Sequence, residues 1–423
     1  MRIQPGSFTF TMLLGLLASV PYSGIDMNLP AVTATGVALG ARPSEVGLTM
    51  SVFMLSLAAA PLLYGPASDR FGRKPVVVFG VTLFVIGSLA CALAQSLPAL
   101  LLCRVVQGAG AAATTMTFAI IRDLFDGNTA RAKIANVVIA INVVTVIAPT
   151  AGAALLVLGS WRLIYATQAA IGFVLLFAVL SGFTESARID PANRFKPSVV
   201  VRSYLRVLTH PVSFGYILVG AAGGATVFAY VTGSSLFFVG IVGLRPDQYA
   251  LIFSACSAAV MSGAFLDGRL GRWGISPARV LMAGLTLLSS AAVLLLVMTL
   301  AGWMPPFLVA SLLIAVALAF GLSMPNVMNA TMQPLPEIAG AVGAAAGSIQ
   351  MTSGAISSGL VAVLYDGRSA LSMTSVMAVC SLLALALYLL VARRAERRLV
   401  GFDKAQLSGA EGRSVVELRA GCP

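Results

Sequence analysis

Charged residues are scarce in this sequence, and their scarcity excludes an ordinary water-soluble protein. Of the 423 residues, 10% are charged and 58% are hydrophobic, whereas soluble domains have about a quarter and about half. Histidine occurs once, as His210, and no carboxylate or cysteine near it in sequence could form a catalytic pair. The five cysteines show no CxxC spacing, so the pattern predicts neither a metal site nor a disulfide.

Long runs without any charged residue fill most of the chain. Residues 46–68 and 134–161 are two such runs, and each is long enough to cross a bilayer as a helix. Period-two alternation is lacking, which excludes a transmembrane β-barrel. We therefore predict an all-α polytopic membrane protein of twelve transmembrane helices in two six-helix halves. The predicted spans are 8–37, 45–68, 75–94, 98–121, 133–158, 162–183, 211–240, 248–268, 278–300, 306–331, 339–364 and 369–392.

The basic residues fall mainly on one side of these spans. If both termini are cytoplasmic, most loops follow the positive-inside rule, and the net charge of +12 reflects topology without any need for nucleic acid. The predicted inner residues are Arg2, Arg70, Arg73, Lys74, Arg122, Arg131, Lys133, the segment 184–210, Arg269, Arg272, Arg279 and the C-terminal tail. The predicted outer residues are Arg42, Arg162, Arg245 and Arg368.

A polar stretch at 185–210 divides the chain into two halves. We predict an N-terminal bundle at 1–184, a cytoplasmic connector at 185–210, a C-terminal bundle at 211–392 and a cytoplasmic tail at 393–423. The sequence from Gly65 to Lys74 is similar to that from Gly263 to Arg272, at the same relative place in each half. Parallel repeats of six spans are typical of a transporter with a central site between two rocking halves.

Asp26 is the most informative single residue. It lies late in an apolar predicted span and is followed by Pro30. A carboxylate inside a span is costly and therefore indicates function. Because removal from water favours the neutral form of a carboxyl group, Asp26 could gain and lose a proton near neutral pH. The alternative is that Asp26 faces water at the end of its helix.

Arg104 is the only cation well inside a predicted span, at a depth comparable with that of Asp26. We expect the two residues to form and break a contact that couples proton movement to transport. The alternative is that Arg104 only binds helix carbonyl groups. Asp69 follows a predicted helix end, where an anion needs a partner such as Arg73. That contact could act as a gate latch or only fix topology.

Other side chains inside the spans suggest close packing or a substrate pocket. Pro149 and Gly152 would bend the fifth span and allow close helix approach, which ordinary packing also explains. For any one of the aromatic residues of the seventh span, packing in the membrane core or at its interface is the more common role. The predicted pocket candidates are Asn28, Gln107, Asn142, Phe228, Tyr230 and Phe237.

These motifs together resemble the major facilitator superfamily. The residues from Asp69 to Lys74 resemble its signature between spans two and three, Arg104 with Gln107 and Gly108 resembles the span-four signature of proton-coupled members, and Pro149 with Gly152 resembles the antiporter signature. Asp26, Met27, Leu29 and Pro30, with Arg122 and Asp123, are similar to the Bcr/CflA drug-resistance group. The chain departs from those patterns at Asn28, Ala148 and Ala153.

The resemblance implies a proton-coupled antiporter, not an enzyme, that exports small amphipathic antibiotics of the bicyclomycin or chloramphenicol type. It implies that Asp26 and Arg104 couple proton movement to transport. The implied gating residues are Gly65, Asp69, Arg70, Gly72, Arg73, Asp267 and Arg272.

We expect a multi-pass monomer of the bacterial inner membrane, with lipid, protons and the substrate as partners and with no cofactor or metal beyond the proton gradient. The alternatives are a metabolite carrier for a sugar or amino acid, possibly a symporter, and a membrane-embedded enzyme acting on lipid.

Overall fold

The computed structural model describes residues 4–186 and 197–396, apart from the side chains of residues 66, 69, 128 and 197–200. The predicted connector between 187 and 196, the tail beyond 396 and the side chain of Asp69 therefore lie outside the described residues. The described chain consists of helices, turns and short loops, without strands.

The described residues 4–186 contain nine α-helices. Three predicted spans are each divided into two helices, and short 3₁₀ turns at Leu29–Ala31 and Ala113–Met116 stand at two of these divisions. The helices are α1 (Phe8–Asp26), α2 (Val32–Leu39), α3 (Pro43–Ala59), α4 (Pro61–Phe71), α5 (Arg73–Leu93), α6 (Leu97–Ala112), α7 (Thr117–Leu124), α8 (Gly127–Leu158) and α9 (Trp161–Gly182).

The C-terminal part has longer uninterrupted helices. Proline occupies the first turn of several of them, where its missing N–H costs no hydrogen bond. The helices are α10 (Pro197–Thr209), α11 (Pro211–Ser235), α12 (Pro246–Arg272), α13 (Pro277–Leu300), α14 (Pro306–Met332), α15 (Ala339–Val363) and α16 (Leu371–Leu387). Single π-helical segments extend α11 over Leu236–Ile241 and α16 over Tyr388–Ala392.

Eleven segments of the described chain are long and apolar enough to cross a membrane, one fewer than predicted. The remaining predicted span is α15, a helix of 25 residues without a charged side chain. Its four serines and one glutamine lower its mean hydropathy. Because α15 packs between α11 and α3, these polar groups need not face lipid.

The two predicted halves meet along two pairs of helices. Helix α3 packs against α15, and α8 packs against α12. At one end of the bundle Val32 and Val46 form an apolar cluster with Leu236 of the other half. The Ser235 hydroxyl donates a hydrogen bond of 2.6 Å to the carbonyl oxygen of Leu29 beside this cluster. Contacts between the halves therefore close this end of the bundle, which is the periplasmic end in the predicted topology.

Candidate functional site

The first predicted span is not one continuous helix, and Asp26 lies at the break. Helix α1 ends at Asp26, and a 3₁₀ turn containing Pro30 separates it from α2. The Asp26 side chain is only 6% exposed. Within residues 4–186 and 197–396, no group donates a hydrogen bond to its carboxylate or forms an ion pair with it. Asp26 is therefore a buried acid without a counter-ion in this structure.

Arg104 binds the same end of α1 but does not touch Asp26. Its Nη1 donates to the carbonyl oxygen of Gly24 at 3.0 Å, two residues before the acid. Its Nε donates to the carbonyl oxygen of Thr49 at 3.3 Å, and the guanidinium carbon lies 4.1 Å above the ring centre of Phe53. The expected contact between the two charges is absent among the described contacts, because neutral acceptors and an aromatic ring occupy the guanidinium group.

A chain of buried amides extends from Arg104 to α9. Gln107 accepts a hydrogen bond of 2.7 Å from Arg104, and its Nε2 donates at 2.8 Å to both the Ser88 hydroxyl and Oε1 of Gln168. Gln168 then donates through Nε2 to the carbonyl oxygen of Ser23 at 3.2 Å. All four side chains are almost completely buried. We refer to Ser88, Arg104, Gln107 and Gln168 as the polar frame.

The polar frame changes the interpretation of Gln107. The sequence suggested a pocket-lining residue, but its side chain is fully buried and bonded to protein groups. Sequence reasoning missed Ser88 and Gln168 entirely. The signal was present, because Gln168 is a lone amide in an apolar predicted span, and a polar group there needs a partner.

Of the two asparagines among the predicted pocket residues, Asn28 binds the end of α1 near Asp26. The Asn28 side chain donates to the carbonyl oxygen of Gly24 at 2.9 Å, so this oxygen accepts from both Asn28 and Arg104. Asn142 instead donates to the carbonyl oxygen of Val138 within its own helix, at 2.9 Å. Asn28 therefore stabilises the broken end of α1, whereas Asn142 is not connected to it by any described hydrogen bond.

Five buried aromatic side chains of the C-terminal part form a cluster. Tyr230 stacks on Phe253 with ring centres 5.9 Å apart, and Tyr249 lies 6.2 Å from Phe253. Phe238 lies 6.4 Å from Tyr249 and 5.0 Å from Phe237. We refer to these five residues as the aromatic cluster. It contains two of the predicted pocket residues, Tyr230 and Phe237.

Asp26 interacts electrostatically with two tyrosines of the aromatic cluster, which belong to the other part of the chain. The hydroxyl groups of Tyr230 and Tyr249, and that of Tyr22 one turn before the acid, lie within electrostatic range of Asp26. The third aromatic candidate, Phe228, lies elsewhere and packs against Gly354. A molecule bound against Tyr230 or Tyr249 would therefore come within electrostatic range of the titratable acid.

The predicted packing motif of the fifth span also lies at the break in α1. Pro149 is inside α8, and Gly152 lies against the main chain of Met27. Nearer the start of α8, the Ser254 hydroxyl of α12 donates to the carbonyl oxygen of Val146 at 2.7 Å. Helix α8 thus contacts both the end of α1 and a helix of the other predicted half.

The predicted gating motif occupies the tight turn between α4 and α5. The last turn of α4 contains Arg70, which is exposed and packs over Phe71, and a Cβ at Gly65 would meet no neighbour. Gly72 has φ of 97°, a conformation that favours glycine. Arg73 forms an ion pair of 2.9 Å with Asp123 and also contacts the Ser68 hydroxyl.

Glu185 closes this turn from the far end of α9. Its carboxylate accepts hydrogen bonds from the backbone N–H groups of Arg73 at 2.8 Å and Lys74 at 3.0 Å, at the start of α5. Lys74 in return donates to the carbonyl oxygens of Leu180 and Phe183 at the end of α9. Asp123 is a charged partner of Arg73 that sequence reasoning did not predict. The predicted contact with Asp69 involves a side chain outside the described residues.

The second copy of the motif makes different contacts. Asp267 accepts a hydrogen bond of 2.6 Å from the Asn326 side chain of α14. Arg272 is exposed at the end of α12. The sequence similarity between the two motifs therefore does not extend to the Arg73–Asp123 ion pair.

Comparison with known proteins agrees with this architecture. The Major Facilitator Superfamily model matches residues 11–359. A bicyclomycin resistance protein homolog of Haemophilus influenzae is 25% identical, with 94% of this chain and 100% of the relative covered. The multidrug resistance protein MdtL of Escherichia coli is 27% identical, with 88% of this chain and 92% of the relative covered.

Two solved structures show the same fold. A bacterial homolog of the human lysosomal transporter Spinster, inward-facing and unoccupied, has a TM-score of 0.73 and 17% identity, over 93% of this chain and 99% of that one. A D-xylose–proton symporter has a TM-score of 0.69 and 15% identity, over 91% and 98%. Fold and family therefore identify a multi-pass membrane transporter and not an enzyme. The chain belongs to the major facilitator superfamily.

Proposed function

We propose that this transporter exports small amphipathic compounds from the cytoplasm in exchange for protons, by alternating access. The observation that carries the proposal is Asp26, a buried carboxyl group without a described counter-ion, within electrostatic range of the hydroxyl groups of Tyr230 and Tyr249. A proton on this acid would remove the cost of a buried charge. The names of the relatives, which concern resistance to bicyclomycin and to multiple drugs, support efflux.

The substrate would bind between Asp26 and the aromatic cluster. Aromatic faces provide a large apolar surface that accepts amphipathic molecules of differing shape. Binding of substrate and binding of a proton would compete for the same small region. Such competition gives exchange in place of cotransport, because the carrier returns with one ligand or the other.

The proton gradient supplies enough energy for efflux. Each proton entering gains about 2.3 kcal/mol per 100 mV of membrane potential and about 1.4 kcal/mol per pH unit. We propose that the protein acts as a monomer in the bacterial inner membrane, with both termini in the cytoplasm and with two six-helix halves at 1–184 and 211–392. No cofactor is needed in this scheme.

A test of this function uses everted membrane vesicles. Addition of a bicyclomycin- or chloramphenicol-type compound to energised vesicles should cause proton release, reported by a pH-sensitive dye. Asp26→Asn should abolish this release while its amount in the membrane stays unchanged. Asp247→Asn is a matched control, since Asp247 is an exposed carboxylate paired with Arg245. Continued release by Asp26→Asn would contradict the proposal.

The rival function is uptake of a metabolite such as a sugar or amino acid with a proton. The fold itself admits this function, because a xylose symporter shares it. Vesicles with imposed pH gradients of either sign discriminate between the two. An antiporter accumulates substrate when the vesicle interior is acidic, whereas a symporter accumulates it when the exterior is acidic.

A further inference from the structure

Helix α1 stops in the middle of the protein, and its last carbonyl groups need hydrogen-bond donors. The final carbonyls of a helix have no partner within it. The backbone N–H of Asn28, which would bind the Gly24 oxygen in a continuous helix, instead lies 3.3 Å from the oxygen of Ile25. Side chains bind the carbonyl oxygens at this helix end. Arg104 and Asn28 donate to Gly24, and Gln168 donates to Ser23, which also accepts from the backbone N–H of Met27 at 3.3 Å.

These two donors do not act separately. Gln107 links them, since it accepts from Arg104 and donates to Gln168. An amide side chain has one oxygen and two N–H groups. Both N–H groups of Gln107 are used, at Ser88 and at Gln168, so its oxygen must point at Arg104. Loss of Gln168 would release one of the contacts that fix this orientation.

We propose that Gln168 is a positioning residue for Asp26. It binds the α1 carbonyl three residues before the acid and orients the amide that holds Arg104 against the next carbonyl. The polar frame thereby fixes the helix end that carries Asp26. This proposal rests on the proposed proton-coupled function, but it concerns how the acid is held and can be measured without transport.

Because Gln168 is buried, its replacement should remove hydrogen bonds at the end of α1 that water does not restore. The residue is 1% exposed, so no water replaces its two hydrogen bonds. Gln168→Leu preserves the approximate volume but leaves the Ser23 oxygen without its side-chain donor and one N–H of Gln107 without an acceptor. An unsatisfied buried group commonly changes an equilibrium by about tenfold or more. We expect Gln168→Leu to lower substrate turnover by roughly this factor and to alter its pH profile.

A second variant separates positioning from simple packing. Gln168→Glu can still accept from Gln107, but it can donate to the Ser23 oxygen only when its carboxyl group is protonated. Its turnover relative to wild type should therefore recover at acidic pH and fall at alkaline pH. A residue that only fills space would give a rescue that does not depend on pH. Thr82→Val is the control, since the Thr82 hydroxyl bonds only to Val78 of its own helix.

A chemical readout tests the positioning independently of transport. Dicyclohexylcarbodiimide reacts with protonated carboxyl groups in apolar surroundings, and mass spectrometry of the peptide containing Asp26 measures its modification. We expect the pH dependence of Asp26 labelling to shift in Gln168→Leu and to match wild type in Thr82→Val. Unchanged labelling together with unchanged turnover in Gln168→Leu would overturn the proposal, as would a pH-independent rescue by Gln168→Glu.

The two proposals fail in different ways. If wild-type vesicles release no protons on addition of any compound while Asp26 labelling still shifts in Gln168→Leu, the transport function is wrong and the positioning role stands. If wild type exchanges protons normally and Gln168→Leu matches it in both assays, the positioning role is wrong and the transport function stands.

Discussion

Gly152 lies so close to Met27 that a Cβ atom at position 152 would overlap the Met27 carbonyl oxygen. Because the obstructing atom belongs to the main chain, no side-chain rotation relieves the overlap. The break in α1 therefore depends on a residue without a side chain in α8. Among the described contacts, this one joins the antiporter motif directly to the residue that follows Asp26.

Gly152→Ala should impair transport more than the small size of the added methyl group suggests. The added methyl group must displace either α8 or the end of α1, at a cost of about 1–3 kcal/mol. We expect a loss of exchange of about tenfold or more in vesicles with matched protein amounts. Gly347→Ala in α15 is the control, since a Cβ there meets nothing within 4 Å. Equal activity of the two variants would contradict the close-packing interpretation.

Arg104→Lys should retain little exchange activity although the charge is kept. Arg104 donates to Gly24, Thr49 and Gln107 in different directions and packs on Phe53. A lysine ammonium group cannot reproduce this planar arrangement, and each acceptor left unsatisfied costs about 1–3 kcal/mol. Vesicle exchange assays should show a loss close to that of Arg104→Ala. Near wild-type exchange by Arg104→Lys would mean that only charge matters.

Arg73 and Asp123 should show energetic coupling in turnover. Their side chains are 15% and 26% exposed, so the ion pair of 2.9 Å is partly shielded from water. Arg73→Ala and Asp123→Ala should each slow exchange, and the double variant should be no slower than the worse single one. The expected coupling is about 1 kcal/mol. Fully additive effects on turnover would show that the pair does not act as a unit.

The titration of His210, at the start of α11, should make the stability of the protein depend on pH. Its Nδ1 accepts from the backbone N–H of Ser213 at 3.2 Å, and burial together with nearby Arg206 lowers the pKa of His210. The folded protein therefore binds this proton less tightly than the unfolded chain. The contribution of His210 to the free energy of unfolding is complete above its usual pKa of 6.5. It is lost as the pH falls through the lowered pKa of the folded protein.

Thermal melting of the detergent-solubilised protein measures this effect. His210→Asn keeps a capping acceptor without a titratable group, so its melting temperature should change less between neutral and acidic pH than that of wild type. His210→Ala should cost up to about 1 kcal/mol at neutral pH. Identical pH profiles for wild type and His210→Asn would exclude His210 as the source.

The sequence was sufficient to predict the transmembrane segments and the acid, but not the contacts of the acid. Span lengths follow from the distribution of charge, and a carboxylate in an apolar run is visible without a structure. The break of α1 after Asp26 was not predicted, because a helix can end inside a protein only where distant groups satisfy its carbonyls. Those groups, Arg104 and Gln168, lie 80 and 145 residues from the oxygens they bind.

In the gating motif too, the sequence did not predict contacts between charged groups that lie far apart along the chain. Proximity in sequence favoured a contact between Asp69 and Arg73, which stays a prediction because the Asp69 side chain lies outside the described residues. Asp123, 50 residues from Arg73, pairs with it in the structure. Glu185, which binds the start of α5, is 112 residues from Arg73. Local sequence indicates that a charge needs a partner, but helix packing determines which partner is in reach.

The apolar cluster of Val32, Val46 and Leu236 has an energetic consequence for the transport cycle. To open that end, the protein must bring these side chains into water, at about 25 cal/mol for each Å² exposed. The unliganded carrier should therefore rest with that entrance shut. Ligand or proton binding has to offset this hydration cost before that entrance can open, which limits transport cycles without substrate and leakage across the bilayer.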